Sequence, residues 1–183
     1  MVSITPPATS DYVCVRCSQV NPTCCRINPG AEKYCFPLSN HEIQTISAYS
    51  ASHDFYIEEP NQADFIHRLG KLLPWPRKKL LSIFSLDNSH FRLNNTEDYS
   101  CVFLGNNGCS LPHDLRPVYC RIYPFWFYND KLFVLEDPGC LAQNEQKSVQ
   151  QLIRLFGVDP EDLRKKYLTM VSNLESSKSN YNL

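Results

Sequence analysis

The sequence predicts an α+β fold, mainly helical, with short β-hairpins and irregular cysteine-rich loops. Nine cysteines lie in two groups, residues 14–35 and 101–140, separated by a cysteine-free stretch whose apolar residues recur at helical spacing. Two turn signals, Asn106-Asn107-Gly108 and Asn129-Asp130, sit between short β-prone runs. Capping residues and prolines punctuate what remains.

Residues 1–10 read as a flexible tail. After the first cysteine group, residues 36–100 read as helical. Ser39 and Glu42 form a capping box, with Leu38 and Ile43 placed for a hydrophobic staple, and Ile43 and Ile46 share a face of a helix running to about Ser52. A second helix covers Asn61 to Leu73, with Phe65, Ile66, Leu69 and Leu72 at helical spacing. Pro74-Trp75-Pro76 ends it, because proline disfavours helix in the residue before it and carries no donor. Arg77 to Phe84 forms a further short helix. One hairpin joins Cys101–Leu104 to Cys109–Leu111, and another joins Phe125–Tyr128 to Lys131–Val134. In the second, alternation sends Phe125 and Phe127 to one side and Trp126 and Tyr128 to the other. From residue 144 the pattern is helical again, with Val149, Leu152, Ile153 and Phe156 on one face. Asp159 caps a last helix with Pro160 at its first position, Glu161 and Asp162 at its positive end, and an apolar side of Leu163, Tyr167, Met170, Val171 and Leu174. The end, Ser176 to Leu183, is expected to fray. The chain therefore divides into the tail, a cysteine-cluster domain over 11–141 with a helical insertion over 39–85, and a C-terminal helical segment over 142–183 packing on it.

A hydrophobic content of 43% with 20% charged residues marks a chain able to fold around its own core, so metal is not required merely to compensate for small size. The net charge of -1 and the lack of a basic run give no nucleic-acid footprint. No stretch approaches the ~20 apolar residues that span a bilayer. The start, Met1-Val2-Ser3-Ile4-Thr5-Pro6-Pro7, lacks the basic and apolar regions of a signal peptide, so a cytoplasmic location is expected. Glutathione and thioredoxin keep thiols reduced there, and clustered cysteines point to metal rather than to disulfides. Buried free cysteines are common in cores, but as scattered single residues.

The first group runs Cys14-x2-Cys17-x6-Cys24-Cys25, with Cys35 beyond; the second runs Cys101-x7-Cys109-x10-Cys120-x19-Cys140. A C-x2-C turn lets two sulfurs converge on one metal from a tight knuckle, and tetrahedral zinc and iron–sulfur sites both use it. The adjacent Cys24 and Cys25, if extended, point to opposite sides and serve different metals or bridge a site and the core. The spacing leaves zinc and iron–sulfur clusters both open. No phosphate loop, nucleophile elbow, dinucleotide fingerprint or marked pair of carboxylates accompanies the cysteines, so the sequence supplies no catalytic machinery beyond a metal.

Cys14-Val15-Arg16-Cys17, Cys24-Cys25, Cys101-Val102-Phe103-Leu104, Gly108-Cys109 and Arg116-Pro117-x2-Cys120-Arg121-x2-Pro124-Phe125 together resemble the CxxCxxxCC cysteine-cluster family, the YkgJ-type zinc- or iron-chelating proteins, over about residues 12–141. Six residues separate Cys17 from Cys24 where the family name implies three, and Cys35 is additional. The resemblance implies metal-binding loops in which Cys14, Cys17, Cys24, Cys25, Cys101, Cys109, Cys120 and Cys140 ligate an iron–sulfur cluster (4Fe-4S among the options) or zinc. Two four-thiolate sites, or one cluster plus one structural zinc, fit that count. Closing them would draw residues 14–25 against 101–140 and leave the intervening helices as an outer excursion.

Arg116 and Arg121 flank Cys120, where guanidinium donors could bind and stabilise a negatively charged cofactor. His113 lies between Cys109 and Cys120 but has no ligand spacing with the other histidines. The expected role is an accessory, carrier or sensor protein whose partner is a metal ion or cluster, with a protein partner possible and neither nucleic acid nor membrane indicated. Two other readings stand beside it. Family proximity to flagellin lysine N-methylases suggests an S-adenosylmethionine-dependent protein-lysine methyltransferase, and the apolar stripe of the last helix suggests a structural zinc module that docks a partner.

Overall fold

The structure, a computed structural model, describes residues 13–20, 23–50 and 52–177. The expected tail over 1–10 lies outside the described residues, as does the end of the chain from 178. The α+β class holds. Eight α-helices among the described residues accompany three two-stranded antiparallel sheets. In order they are α1 (Val13–Ser18), α2 (Asn40–Tyr49), β1 (Tyr56–Pro60), α3 (Ala63–Leu72), α4 (Arg77–Ile83), β2 (Ser89–Leu93), β3 (Leu104–Gly105), β4 (Gly108–Cys109), α5 (Val118–Ile122), β5 (Phe125–Tyr128), β6 (Lys131–Val134), α6 (Leu141–Glu145), α7 (Val149–Phe156) and α8 (Pro160–Ser176).

The capping chemistry sets the helix starts. Ser39 accepts from the Glu42 amide while Glu42 reaches back to the Ser39 amide, closing the expected box. Ser148 and Gln151 repeat that box at α7, whose C-terminus stops on Gly157 in the left-handed region at φ 61°. Asp159 caps α8, with Pro160 in its first turn.

The β5–β6 hairpin forms in the expected register, Phe125↔Val134 to Tyr128↔Lys131. Asn129 and Asp130 both take positive φ, which suits a tight two-residue turn. Both of its faces are covered at the open end, where Phe125, Trp126 and Phe127 are all buried. The first hairpin is shorter than expected: β3 and β4 pair over two positions, and Cys101 belongs instead to a turn in which the Leu104 amide donates to the Cys101 carbonyl at 2.8 Å.

The stretch 36–100 is not wholly helical. β1 and β2 pair from Tyr56↔Leu93 to Pro60↔Ser89, bracketing α3 and α4. Glu58, Glu59 and Pro60 weaken the strand signal of β1, and its partner lies more than thirty residues away, so pairing and burial rather than local preference form this sheet. Nor are these helices an outer excursion. Phe65, Leu69, Leu80 and Phe84 pack in one central core with Ile122 and Phe125, joined by Leu163, Met170 and Leu174 of α8. The apolar stripe of α8 is thus buried within the chain. A smaller cluster of Ile46, Phe55 and Leu111 sits apart, with Ile43, Phe103 and Cys109 packed against it.

Candidate metal centre

The early and late cysteines meet through the backbone. Residues 25–27 run antiparallel to 99–101: the Cys101 amide donates to the Cys25 carbonyl at 2.7 Å and the Ile27 amide to the Tyr99 carbonyl at 3.0 Å, with Arg26 opposite Ser100. Arg26 reinforces the pairing, its Nε donating to Ser100 Oγ at 2.8 Å and its guanidinium reaching Asp98 at 3.3 Å. Cys101 in turn pairs with Asn95. Thr23, Cys24, Cys25 and Arg26 form a turn, closed by the Arg26 amide on the Thr23 carbonyl at 3.0 Å. That turn corrects the expectation that Cys24 and Cys25 diverge. The chain is bent rather than extended at this point, and each thiol shifts the other's titration.

Cys14 and Cys17 lie on a short helix, α1, rather than on the expected knuckle. Three residues apart, they share a face of α1 but serve different neighbours. Cys14 bears on Cys24, whereas Cys17 is buried, its thiol donating to Thr23 Oγ1 at 3.4 Å, and bears on Cys140. Cys140 opens α6, and Arg16 of α1 grips Glu145 of the same helix through two bonds of 2.6 and 2.8 Å. α1 also packs on β4, where Val15 Cα lies 3.7 Å from where a side chain on Gly108 would begin.

Cys120 rides on α5. The first amide of that helix, Val118, donates at 2.8 Å to Oε1 of the buried Glu42, whose Oε2 accepts from Ser39. One carboxylate therefore ties the starts of α2 and α5 together. The capping box was readable in the sequence, but its second, long-range bond was not.

The thiols share an electrostatic neighbourhood. A hydrogen bond to Cys25, then burial and the thiols of Cys25, Cys14 and Cys120, hold Cys24 well above the usual thiol range. Burial pushes Cys101 up to about 12, with Cys25, Cys109 and Cys35 adding to it. Burial likewise raises Cys109, and raises Cys120 well above its ordinary value, with Cys25, Cys101 and Cys109 pressing on the latter. Cys25 is the exception: the hydrogen bond from Cys24, aided by the Arg116 guanidinium, brings it down to about 7 against the effect of burial. Burial raises Cys140 against the pull of the Gln143 and Ala142 amides. Cys24 and Cys120 are exposed to solvent, yet crowding by protein penalises their charged forms.

The structure thus brings Cys24, Cys25, Cys101, Cys109 and Cys120 into one neighbourhood with Cys14 at its edge, and puts Cys17 beside Cys140. Cys35, which the family pattern does not include, bears on Cys101. Among the described residues, no three His, Cys, Asp or Glu side chains already stand in metal-holding geometry. Arg116 bonds backbone, its Nε donating to the Leu111 carbonyl at 3.0 Å and its terminal nitrogen to the Cys109 carbonyl at 3.3 Å, while its charge favours the thiolates of Cys25 and Cys109. Arg121 turns to the Asp114 carbonyl at 3.3 Å, and its charge acts on His113. A polar surface depression lined by Ser18, Arg26, Asp98, Ser100 and Asn106 holds no cysteine.

No protein-family model, no curated protein and no solved structure matches this chain. No helix among the described residues is long and apolar enough to cross a membrane.

Proposed function

We propose that this chain is a metal–thiolate protein that holds an iron–sulfur cluster or zinc through its cysteines in an accessory, carrier or sensor role. The observation that supports it is the pairing of residues 25–27 with 99–101, which joins the two cysteine groups through residues more than seventy positions apart. A fold that spends backbone pairing to gather thiols, and then surrounds them with protein and a guanidinium, has the donor set of a soft-metal site. The pattern of eight cysteines also resembles the YkgJ-type family. Metal would draw the thiols of Cys24, Cys25, Cys101, Cys109 and Cys120 inward, with Cys14, Cys17 and Cys140 as the remaining candidates and Arg116 and Arg121 as flanking cations. The burial of the α8 stripe within the chain leaves that helix without an apolar face to dock a partner, which removes the ground for a docking module.

Purification under argon followed by metal and acid-labile sulfide analysis tests the proposal. Iron with sulfide and broad visible absorption identifies a cluster, and zinc without colour identifies a zinc site. Protein that carries neither, and takes up neither when supplied, refutes it. Replacing Cys25 or Cys101 by serine is expected to lower the bound metal, since both lie on the paired segments.

A further inference from the structure

We propose that Cys24 and Cys25 are a site of reversible oxidative modification, closing a vicinal disulfide that withdraws two sulfurs from the thiol centre. The consequence for metal rests on the metal–thiolate reading; the disulfide itself depends only on the two thiols.

The geometry begins with the turn at 23–26. Along an extended strand neighbouring side chains diverge. Here the Arg26 amide closes on the Thr23 carbonyl at 3.0 Å and the Cys25 amide reaches Thr23 Oγ1 at 3.5 Å, so the two cysteines occupy the middle of a turn. Sulfurs on neighbouring residues of one turn need only side-chain rotation to reach the ~2 Å of a disulfide. Cys24 is exposed and Cys25 half-buried beside it, so a small oxidant reaches the pair without any opening of the fold, whereas Cys17 is buried and its thiol is engaged by Thr23.

Adjacent Cα atoms stand about 3.8 Å apart across a trans peptide. That is closer than the roughly 4.4–6.8 Å of ordinary disulfides, so the eight-membered ring is strained. Strained, exposed disulfides have the more oxidising potentials and are the readily reduced ones. The modification is therefore reversible by design of the turn.

The oxidant is a peroxide. The Cys25 thiolate attacks it and, with a proton taken up by the departing oxygen, becomes a sulfenic acid, with one oxygen transferred and one water released. The Cys24 thiol then attacks that sulfur, forming the S–S bond and expelling a second water. Two thiols and one hydrogen peroxide become one disulfide and two waters, a two-electron oxidation. A small dithiol reverses it by exchange, returning two protons and two electrons and becoming a disulfide itself. Closing the ring also fixes the torsions about Cys25, whose carbonyl accepts the Cys101 amide at 2.7 Å. The change is thereby passed to the second cysteine segment.

The test treats two samples, the protein as purified under argon and the same protein stripped by a chelator, with one equivalent of hydrogen peroxide. Free thiols are then alkylated and the protein is digested with trypsin, which releases residues 17–26 as one peptide. The expected result in both samples is that peptide with Cys17 alkylated, Cys24 and Cys25 joined, and full reversal by dithiothreitol. In the metal-loaded sample, metal should leave in proportion to the disulfide formed. Cross-links from this peptide to other peptides, sulfinic acid in place of a disulfide, or metal retained beside the disulfide overturn the proposal. A sample that carries no metal and takes up none when supplied defeats the metal–thiolate reading instead, and the stripped sample still decides whether the disulfide forms.

Discussion

At Cys25 two neighbours act in one direction: the Cys24 thiol donates a hydrogen bond to its sulfur, and the Arg116 guanidinium stabilises the thiolate. Replacing Arg116 by glutamine removes the second influence and the bonds to the Leu111 and Cys109 carbonyls. Cys25 should then rise above about 7 and alkylate several-fold more slowly at neutral pH in reduced, metal-free protein. Peptide mapping of an alkylation time course reads this directly, and an unchanged Cys25 rate would show that Arg116 does not act on it. His90 makes a different residue-scale claim. It is buried, stacked on Phe65 at 3.8 Å, and its Nδ1 donates at 2.8 Å to Asn61 Oδ1, the oxygen of an amide whose nitrogen already donates to the Ser85 carbonyl. Nε2 has no partner among the described residues, and burial with the nearby Arg92 lowers the imidazole to about 4. The unfolded chain therefore takes up this proton first as pH falls. The stability contributed by neutral His90 is intact above about 6.5 and is lost progressively down to about 4, a loss of about 3 kcal/mol. Urea midpoints measured across that interval should fall more steeply for the wild type than for His90→Gln, because metal-linked pH effects are common to both chains.

At the scale of elements, Glu42 couples two helices. Glutamine at this position has a single side-chain oxygen, so it cannot accept from both the Ser39 and Val118 amides. One buried donor is left unpaired, at a cost of about 1–3 kcal/mol. Because α5 carries Cys120, Glu42→Gln should also weaken metal binding. Ser39→Ala, which removes the cap of α2 and the hydroxyl bond to Glu42 Oε2 but leaves the Val118 amide its acceptor, should cost about 1 kcal/mol and leave metal binding unchanged. Equal metal affinity in the two variants would break the link between Glu42 and α5. The same residue shows what a sequence can reveal. Ser39-x-x-Glu42 is local, and so are Asn129-Asp130, the Asp159 cap and the α8 stripe; each specifies its element through neighbours a few residues away. The bond from Val118 to Glu42 spans 76 residues, and β1 pairs with β2 across a helical pair. Such contacts leave no local signature. The cysteines fall between these cases. Their clustering marks the residues, whereas the turn that joins Cys24 to Cys25, and the approach of Cys35 to Cys101, arise from chain pairing that spacing does not encode.

Across the whole molecule, the paired segments that carry Cys24, Cys25, Cys101 and Cys109 are held by different means from the main core, in which Cys140 is buried and against which Cys14 packs. The core joins α3, α4, α5, β5 and α8 through Phe65, Leu69, Ile122, Phe125 and Leu163, all nearly inaccessible. Residues 23–27 and 95–111 rest on the small cluster around Ile46, Phe55 and Leu111 and on single-bridge pairing. Thiolate–zinc binding contributes about 10–16 kcal/mol in small peptides, comparable with the ~5–15 kcal/mol net stability of a whole domain. If metal supplies energy on that scale, it is this second region that depends on it. Chelation should therefore abolish hydrogen-exchange protection at the Cys101, Val102 and Leu104 amides while the amides of α8 keep theirs. Uniform loss, or none, would contradict the division. Reloading should also release protons, because Cys24, Cys101, Cys109 and Cys120 all lie above the usual thiol range and enter the reaction protonated. Since each proton displaced opposes metal uptake as pH falls, apparent affinity should weaken steadily toward acid. Calorimetric titrations with zinc in two buffers of different ionisation enthalpy count those protons: more than one per metal is expected, and none would mean that these thiols do not bind it.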